Sequence, residues 1–273
     1  MANQISLTSG MRNNLLSLQK TSNMINTTQN RLSTGKKVNS PLDNPTNYFA
    51  AQSHMQRADD LSARKDGMAE AIQMVKAADA GITAISSLIE SAKGVAQAAL
   101  ATSSTTDRAT YAETFNTLRT QIDNIAQDSG YRGTNFLGSD DQVVEFGQGT
   151  GDSTLTIEGF NASTATTGLN ISAAGNSWSA NTDITTSSEQ LESAMNTLRS
   201  ESSKLSANLS VVTTRQEFTS SMINELKTGA DNLTLADMNE EGANMLMLQT
   251  QQNLGVTSLS MASQAAQAVM RLF

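Results

Sequence analysis

The chain has 273 residues, a formal net charge of −8 and no cysteine, which excludes disulfides, thiol catalysis and cysteine-ligated metals and argues against nucleic-acid binding by phosphate neutralisation. Aromatic residues make up only 4% of the chain and there are two prolines, a composition that favours long helices over a compact enzyme core. No window holds the roughly 20 predominantly apolar residues of a membrane span, and the first residues lack the features of a signal peptide, so we expect no nucleic-acid partner and no membrane insertion.

A first helix is predicted over about residues 5–34, and Gly35 is expected to stop it. Its apolar side chains lie at heptad-like spacing, which is typical of a helix that packs against a partner helix. This stripe consists of Met11, Leu15, Leu18, Ile25 and Leu32.

Both prolines of the chain lie in the segment KKVNSPLDNPTNY. Because residues before proline avoid the helical region, residues 35–45 are predicted to form an extended connector. Asp43 or Asn44 is expected to cap the helix that follows, with Pro45 in its first turn.

Two helices are predicted after the connector, separated by the segment ATSSTTDR. The first extends from residue 46 to about residue 100, and the second opens at Asp107 and ends at SGYRG. The stripe of the first consists of Met68, Ile72, Val75, Ile82 and Ile89. The stripe of the second consists of Tyr111, Phe115, Leu118, Ile122 and Ile125.

The character of the chain changes between Gly133 and Ser187, where Gly, Thr, Ser and Asn dominate and helical periodicity disappears. The segments QVVEF and STLTIEGF predict two short strands joined by a glycine-containing turn. The Thr/Ser/Ala run over residues 161–188 has few large apolar residues, so we expect it to be a surface excursion. O-linked sugars on this run are a hypothesis that intact mass would test.

Two more helices are predicted, separated by a break at GADNL. The first has a four-three apolar rhythm that predicts coiled-coil packing, formed by Leu191, Met195, Leu198, Leu205, Leu209, Val212, Ile223 and Leu226. The second extends from about residue 235 to the end of the chain. Its two neighbouring heptad positions hold Met238, Met245, Leu259, Ala266 and Phe273, and Leu248, Ala262 and Val269.

The two halves of the chain mirror each other, which predicts a mainly α fold: an elongated antiparallel helical bundle or coiled coil with paired terminal helices and a small β-hairpin. Four parts are expected: terminal helices (1–34 with 235–273), a connector (35–45), a bundle (46–139 with 188–232) and the hairpin with the excursion (140–187). The predicted bundle seam consists of Ile72, Val75, Ile82, Ile89, Leu118, Ile122, Leu191, Leu198, Leu205, Leu209, Val212 and Ile223.

The paired terminal helices carry more apolar surface than one seam can bury, and exposed apolar patches mark interaction sites. Burial in one seam, at about 25 cal/mol per Å², does not offset an ordering cost of about 1.5 kcal/mol per residue, so we expect these ends to be disordered in the monomer and to fold on assembly. A head-to-tail contact that does not close would give a helical filament of identical copies. The predicted assembly residues are Met11, Leu15, Leu18, Ile25, Met245, Leu248, Val256, Leu259, Val269 and Phe273.

Charge suggests how the terminal helices are aligned. The base of the first helix carries Arg31 and Lys36, and the start of the last carries Asp237, Glu240 and Glu241. A helical hairpin would place the two groups side by side. They form either a structurally useful pairing or two solvated surfaces that contribute little.

Four segments, in order, resemble the bacterial flagellin family: NRLSTGKKVNSPLDNPTNY, AADAGI, SGYRGTNFLG and NLGVTSLSMASQAAQAVMRLF. The resemblance covers nearly all of the chain except about residues 140–187. It implies export through the flagellar type III apparatus without a cleaved signal, and a chaperone that holds the C-terminal segment. It also implies polymerisation of the chain with itself, beneath a cap protein and beyond hook-junction proteins, into an extracellular filament for swimming. In that filament the terminal helices would form the inner core.

Two positions depart from the family pattern. Many flagellins carry an arginine- and leucine-containing stretch that a Toll-like receptor reads, and the corresponding stretch here is LIESAKGVAQ. Glu90 and Gly94 stand where that pattern has arginine and leucine, so the resemblance implies weak or absent receptor activation.

Two other classes stay open at this point. A hook–filament junction protein has similar terminal helices and would stop at short rings, whereas an intracellular coiled-coil adaptor would form a discrete oligomer. Chemical sites are not predicted. His54 is the only histidine, the carboxylates of Asp140, Asp141 and Glu145 lack calcium-loop spacing, and GQGTGDS lacks the GK[ST] of a phosphate loop. We therefore expect no catalytic residue, metal or cofactor.

Overall fold

The computed structural model describes residues 9–147 and 153–270, with side chains as far as residue 268. It is mainly α, with one small antiparallel hairpin, as the sequence predicts. The elements are α1 (Ser9–Thr34), α2 (Pro45–Ala101), α3 (Thr105–Asp128), β1 (Gln142–Glu145), β2 (Thr154–Ile157), a 3-10 turn (Gly175–Trp178), α4 (Asn181–Thr234) and α5 (Met238–Met270). None of the helices in the described part of the chain is long and apolar enough to cross a membrane.

The chain forms two compact units. We call residues 1–56 with 225–273 the terminal unit, and residues 57–224 the central unit. The predicted assembly residues Val269 and Phe273 lie outside the described side chains, and Phe273 lies outside the described residues altogether.

In the terminal unit, α1 and α5 pack against each other as an antiparallel pair. Arg31 of α1 lies 2.8 Å from Glu241 of α5, and the side-chain amide of Asn14 donates to the carbonyl of Gly255 at 3.4 Å. The two contacts show that the helices are antiparallel, because the residue with the higher number in α1 contacts the residue with the lower number in α5. The expected proximity of Arg31 to the acidic start of the last helix is observed, and the Glu241 carboxylate is buried in the pairing.

The connector is held by hydrogen bonds to the end of α4. Gly35 has a φ of +70°, a left-handed conformation that ends α1. The backbone N–H of Lys37 donates to the carbonyl of Thr234 at 2.7 Å, and that of Ala236 donates to Gly35 at 3.0 Å. Asn44 caps α2 as expected, since its side chain accepts from the backbone N–H of Asn47 at 3.0 Å.

Asp43 closes a tight turn inside the connector. Its Oδ2 accepts from the backbone N–H groups of Asn39 at 3.0 Å and Ser40 at 2.9 Å. These two donors stabilise the ionised form and lower the pKa of Asp43 below its ordinary value of 3.8.

Asp43 is expected to contribute stability that depends on pH. A carboxyl group with a depressed folded pKa contributes fully above its unfolded pKa and loses the contribution as the pH falls through the folded pKa. We therefore expect Asp43→Asn to lower the thermal midpoint relative to the wild type at pH 7 and to give the wild-type midpoint well below pH 3.8. Circular dichroism melts at several pH values would measure this, and an equal difference at all pH values would contradict it.

In the central unit, α2, α3 and α4 share one apolar core, which the hairpin and the segment after it also enter. Helices α2 and α4 are antiparallel, since the Ser202 hydroxyl donates to Asp79 at 3.1 Å while the end of α2 lies near the start of α4. The buried guanidinium of Arg108 ties these ends together. It donates to the carbonyls of Thr102 at 2.8 Å and Ser179 at 3.2 Å and to the side chain of Asn181 at 2.5 Å.

The expectation of a surface excursion over residues 161–188 is wrong. The large apolar side chains of this segment are all in the core, together with one alanine, and α4 already begins at Asn181. The buried members are Ala162, Leu169, Ile171, Trp178 and Ile184.

The polar face of α3 explains how such a polar segment can pack. Asp123 accepts from the backbone N–H of Thr164 at 2.7 Å, and Asn116 accepts from that of Ala174 at 3.0 Å. Arg119 donates to the carbonyl of Ile171 at 2.9 Å. These side chains satisfy backbone groups that would otherwise be costly to bury.

The expected helix break at GADNL is also wrong, because α4 continues through it to Thr234. A glycine inside a helix costs only about 1 kcal/mol relative to alanine, and the neighbouring Ala230 is buried. The break lies one turn later. Asp237 then caps α5, accepting from the backbone N–H of Asn239 at 2.9 Å.

Candidate assembly surfaces

The seam between α1 and α5 buries few large side chains. Met11 and Leu248 are buried in it, together with two threonines of α1, Thr21 and Thr28. Four of the predicted assembly residues are half-buried at its edges: Leu18, Ile25, Met245 and Leu259. Leu15 and Val256 are exposed.

A second apolar stripe on α5 faces away from the seam. Met247, Leu254 and Met261 are spaced by seven, and all three are exposed, Leu254 to 66%. The heptad is present in the sequence, but the predicted assembly residues come from the neighbouring stripe of Met245 and Leu259. Other exposed apolar side chains on the pair include Leu16, Met24, Met238 and Leu246.

The exposed surface of α5 is also uncharged. Between Glu241 and Arg271 the sequence has no acidic or basic residue, and Gln, Asn, Ser and Thr fill the positions between the apolar ones. A partner that packs on this surface would not have to desolvate a charge, which is the costliest part of burying a polar surface. Apolar side chains exposed over this length are typical of an interaction site.

Gly255 marks the closest approach of α5 to α1. A Cβ atom added there would lie 2.7 Å from Cδ2 and 3.1 Å from Cγ of Leu18, whereas one added at Gly242, on the same helix, would meet nothing within 4 Å. The glycine therefore allows the two backbones to approach.

Gly255→Ala is expected to force α1 and α5 apart and to slow filament assembly, at a cost of about 1–3 kcal/mol for overpacking. Gly242→Ala is the matched control. It adds the same methyl group to the same helix in open space, where alanine favours the helix by about 1 kcal/mol. Assembly followed by light scattering compares the two variants, and equal rates would mean that the contact with Leu18 does not govern the pairing.

The predicted bundle seam lies in or beside the core of the central unit, apart from Ile223, which is buried near the boundary of that unit. Leu118 and Leu209 are half-buried against this core. The other members are buried: Ile72, Val75, Ile82, Ile89, Ile122, Leu191, Leu198, Leu205 and Val212.

Glu90 and Gly94 are both exposed, one helical turn apart on α2. The space around Gly94 is open, since an added Cβ would have no neighbour within 4 Å. A receptor that reads this face would find a carboxylate and no side chain there.

The carboxylates considered for calcium have structural partners. Asp140 accepts from the backbone N–H of Asn135 at 2.8 Å, Asp141 accepts from that of Gly159 at 2.9 Å, and Glu145 pairs with Arg64. Among the described residues no group of three or more potential ligands could hold a metal ion.

Comparisons with known proteins point to one family. The family model of the bacterial flagellin N-terminal helical region matches residues 5–141, and that of the C-terminal helical region matches residues 188–273. The chain is 29% identical to flagellin FljO and 30% identical to flagellin FljM of Caulobacter vibrioides, each over 99% of this chain and 98% of the relative. It is 27% identical to a flagellin of Brucella melitensis over 95% of both chains. The crystal structure of Bacillus cereus flagellin aligns with a TM-score of 0.47 and 18% identity, over 56% of this chain and 88% of that one.

Proposed function

The chain belongs to the bacterial flagellin family, and we propose that it polymerises through the paired terminal helices α1 and α5. It is a structural subunit of the extracellular flagellar filament, which drives swimming. The observation that supports the role of the helices is the exposed, uncharged stripe of Met247, Leu254 and Met261.

The stripe offers enough apolar surface to drive association. Complete burial of a methionine or leucine side chain contributes roughly 1.5–3 kcal/mol. Each subunit presents three such side chains on α5, and α1 adds Leu16 and Met24. Contacts of this kind, repeated head to tail between copies, propagate as a helical polymer.

We assign the same assembly role to all of the predicted assembly residues. In this proposal the terminal helices, 1–34 with 235–273, form the inner core through Met11, Leu15, Leu18, Ile25, Met245, Leu248, Val256, Leu259, Val269 and Phe273. The bundle around its buried seam, residues 46–139 with 188–232, forms the outer part. The ends are expected to order on assembly, because the seam of α1 and α5 buries few large side chains.

Electron microscopy of purified monomer seeded with short filament fragments tests this function. The full chain is expected to form long tubes, and a version trimmed to about residues 45–232 is expected to form none. Short rings would favour a hook–filament junction protein, and a fixed small oligomer would favour an adaptor. The names of the relatives favour the filament.

Further partners follow from the family and are part of the proposal: an export chaperone on the C-terminal segment, and cap and hook-junction proteins at the filament ends. The apolar face of α5 is the surface that a chaperone would have to cover before export. Hydrogen exchange of the chain with and without a co-expressed flagellin chaperone tests this. Protection confined to residues 242–270 is expected, and unchanged exchange there would contradict it.

The surface at Glu90 and Gly94 leads to a prediction about receptor activation. The monomer is expected to activate the flagellin-sensing Toll-like receptor weakly or not at all, because a carboxylate and a missing side chain replace the usual arginine and leucine. Glu90→Arg combined with Gly94→Leu is expected to raise activation at least about tenfold, the scale of one lost interfacial anchor. A cell reporter measures this, and a strong response to the unmodified monomer would refute it.

A further inference from the structure

A groove on the central unit combines apolar and cationic side chains. It encloses about 330 Å³ and is lined by Leu61, Phe146 and Phe218 and by two arginines, Arg57 and Arg215. Leu61 and Phe146 form a buried floor, and Phe218 is exposed. The described residues that line the groove include no carboxylate, so it would suit a ligand with an apolar group next to an anion.

The geometry of Arg215 keeps this groove cationic. Its guanidinium carbon lies 5.1 Å from the centroid of the Phe146 ring, a cation–π arrangement that holds the charge over the groove floor. The backbone that carries this ring is also held, since the backbone N–H of Phe146 donates to the carbonyl of Ser153 at 3.0 Å.

The connector of the same chain presents an exposed apolar side chain next to a carboxylate, the combination that the groove would suit. Leu42 is 95% exposed, more than any other large apolar side chain in the described part of the chain. It follows Pro41, and the turn that carries it is closed by the hydrogen bonds from Asn39 and Ser40 to Asp43. Because the backbone of this turn is already fixed, the segment loses little backbone entropy on binding.

We propose that Leu42 and Asp43 of one subunit dock into this groove of a neighbouring subunit. The leucine would pack between the two phenylalanine rings, and the carboxylate would face the two arginines. The inference rests on the polymerisation proposed above. The two surfaces differ, so the contact is heterologous and can repeat along a filament without closing.

Charge complementarity favours this occupant over the other exposed apolar side chains of the chain. The exposed apolar side chains of α5 after residue 241 lie in an uncharged segment, so no carboxylate beside them could pair with the two arginines. Met238 also lies beside an aspartate, Asp237, but it is only 48% exposed, about half as much as Leu42. Leu42 is followed directly by a carboxylate that ionises readily, because two backbone donors lower the pKa of Asp43.

Cross-linking between copies tests the contact. The natural chain has no cysteine, so Leu42→Cys chains and Met222→Cys chains, the second with its thiol in the groove, can be mixed and assembled. A short bismaleimide would then join two different copies only. We expect a Leu42–Met222 dimer at least about tenfold above that from Leu42→Cys mixed with Val211→Cys, an exposed site outside the groove lining.

Filament growth gives a second measurement. Leu42→Ser is expected to leave the melting of the monomer unchanged, since the side chain is exposed, and to slow elongation about tenfold or more, the effect of losing a buried leucine. Val211→Ser, which also removes an exposed apolar side chain, is expected to grow like the wild type. If wild-type filaments form while Leu42→Ser grows equally well, or if the dimers do not exceed the control, the docking inference is overturned and the filament function stands. If the wild type forms no filaments, the proposed function fails and this inference fails with it.

Discussion

Leu254→Asp is expected to abolish filament growth and to leave the monomer folded. Leu254 is the middle residue of the exposed stripe on α5 and is 66% exposed in the single chain, so an aspartate there remains hydrated in the monomer. In the filament the same carboxylate would be buried without a partner in an uncharged surface. The cost of several kcal/mol at every subunit would prevent growth.

The matched control at this position is Leu254→Met, which conserves volume and apolar character and is expected to cost less than about 1.5 kcal/mol. Seeded growth measured by light scattering, together with far-UV circular dichroism of the monomer, separates assembly from folding. Normal filaments from Leu254→Asp would mean that this face of α5 is exposed in the polymer. Leu259→Asp is expected to give the same loss of growth, but it also disturbs the half-buried edge of the seam.

Trp178→Ala is expected to destabilise the central unit by about 3–5 kcal/mol, the range for truncating a large buried aromatic side chain. Trp178 is fully buried, its ring lies 4.9 Å from that of Phe115, and its indole N–H donates to the Ser187 hydroxyl at 3.1 Å. The substitution removes all of these contacts. It leaves a cavity between α3 and the start of α4.

Two controls divide this loss between packing and hydrogen bonding. Ser187→Ala removes only the acceptor of the indole and is expected to cost about 1 kcal/mol, the net value of one hydrogen bond, or up to about 3 if the buried donor stays unpaired. Trp178→Phe keeps an aromatic ring and is expected to fall between the two. Urea unfolding followed by circular dichroism measures all three. If Trp178→Ala lowered the free energy of unfolding by less than about 1 kcal/mol, the buried Trp178 side chain would not be what holds the segment before α4 in place.

Heptad spacing is sufficient to predict the long helices, because apolar stripes can be recognised without knowledge of the partner, and the two strand-like segments around a glycine-containing turn predict the hairpin. It could not say which stripe of α5 faces α1. Leu248 is buried and Met247 is exposed, yet each belongs to an apolar repeat, and only the three-dimensional pairing decides between them.

The segment over residues 161–178 could not be placed from its own sequence. Its packing depends on polar side chains of α3, Asn116, Arg119 and Asp123, that are distant in the chain. They share one face of α3, but a polar stripe on a helix does not show which segment binds it. Trp178 also enters the core from a left-handed backbone conformation, with a φ of 56°, which non-glycine residues adopt rarely. Propensity rules assign such a stretch to the surface.

The anchoring of this segment by α3 also determines where the chain can accept extra sequence. Residues 165–167 form an exposed turn, closed at its base by the backbone N–H of Leu169, which donates to Ser163 at 2.8 Å, and by that of Ile171, which donates to Thr164 at 3.0 Å. An insertion at this turn would leave the anchors on both sides in place. Because doubling a loop costs only about 0.6 kcal/mol in closure entropy, a peptide or small domain displayed there would be repeated at every subunit without disturbing the core that carries it.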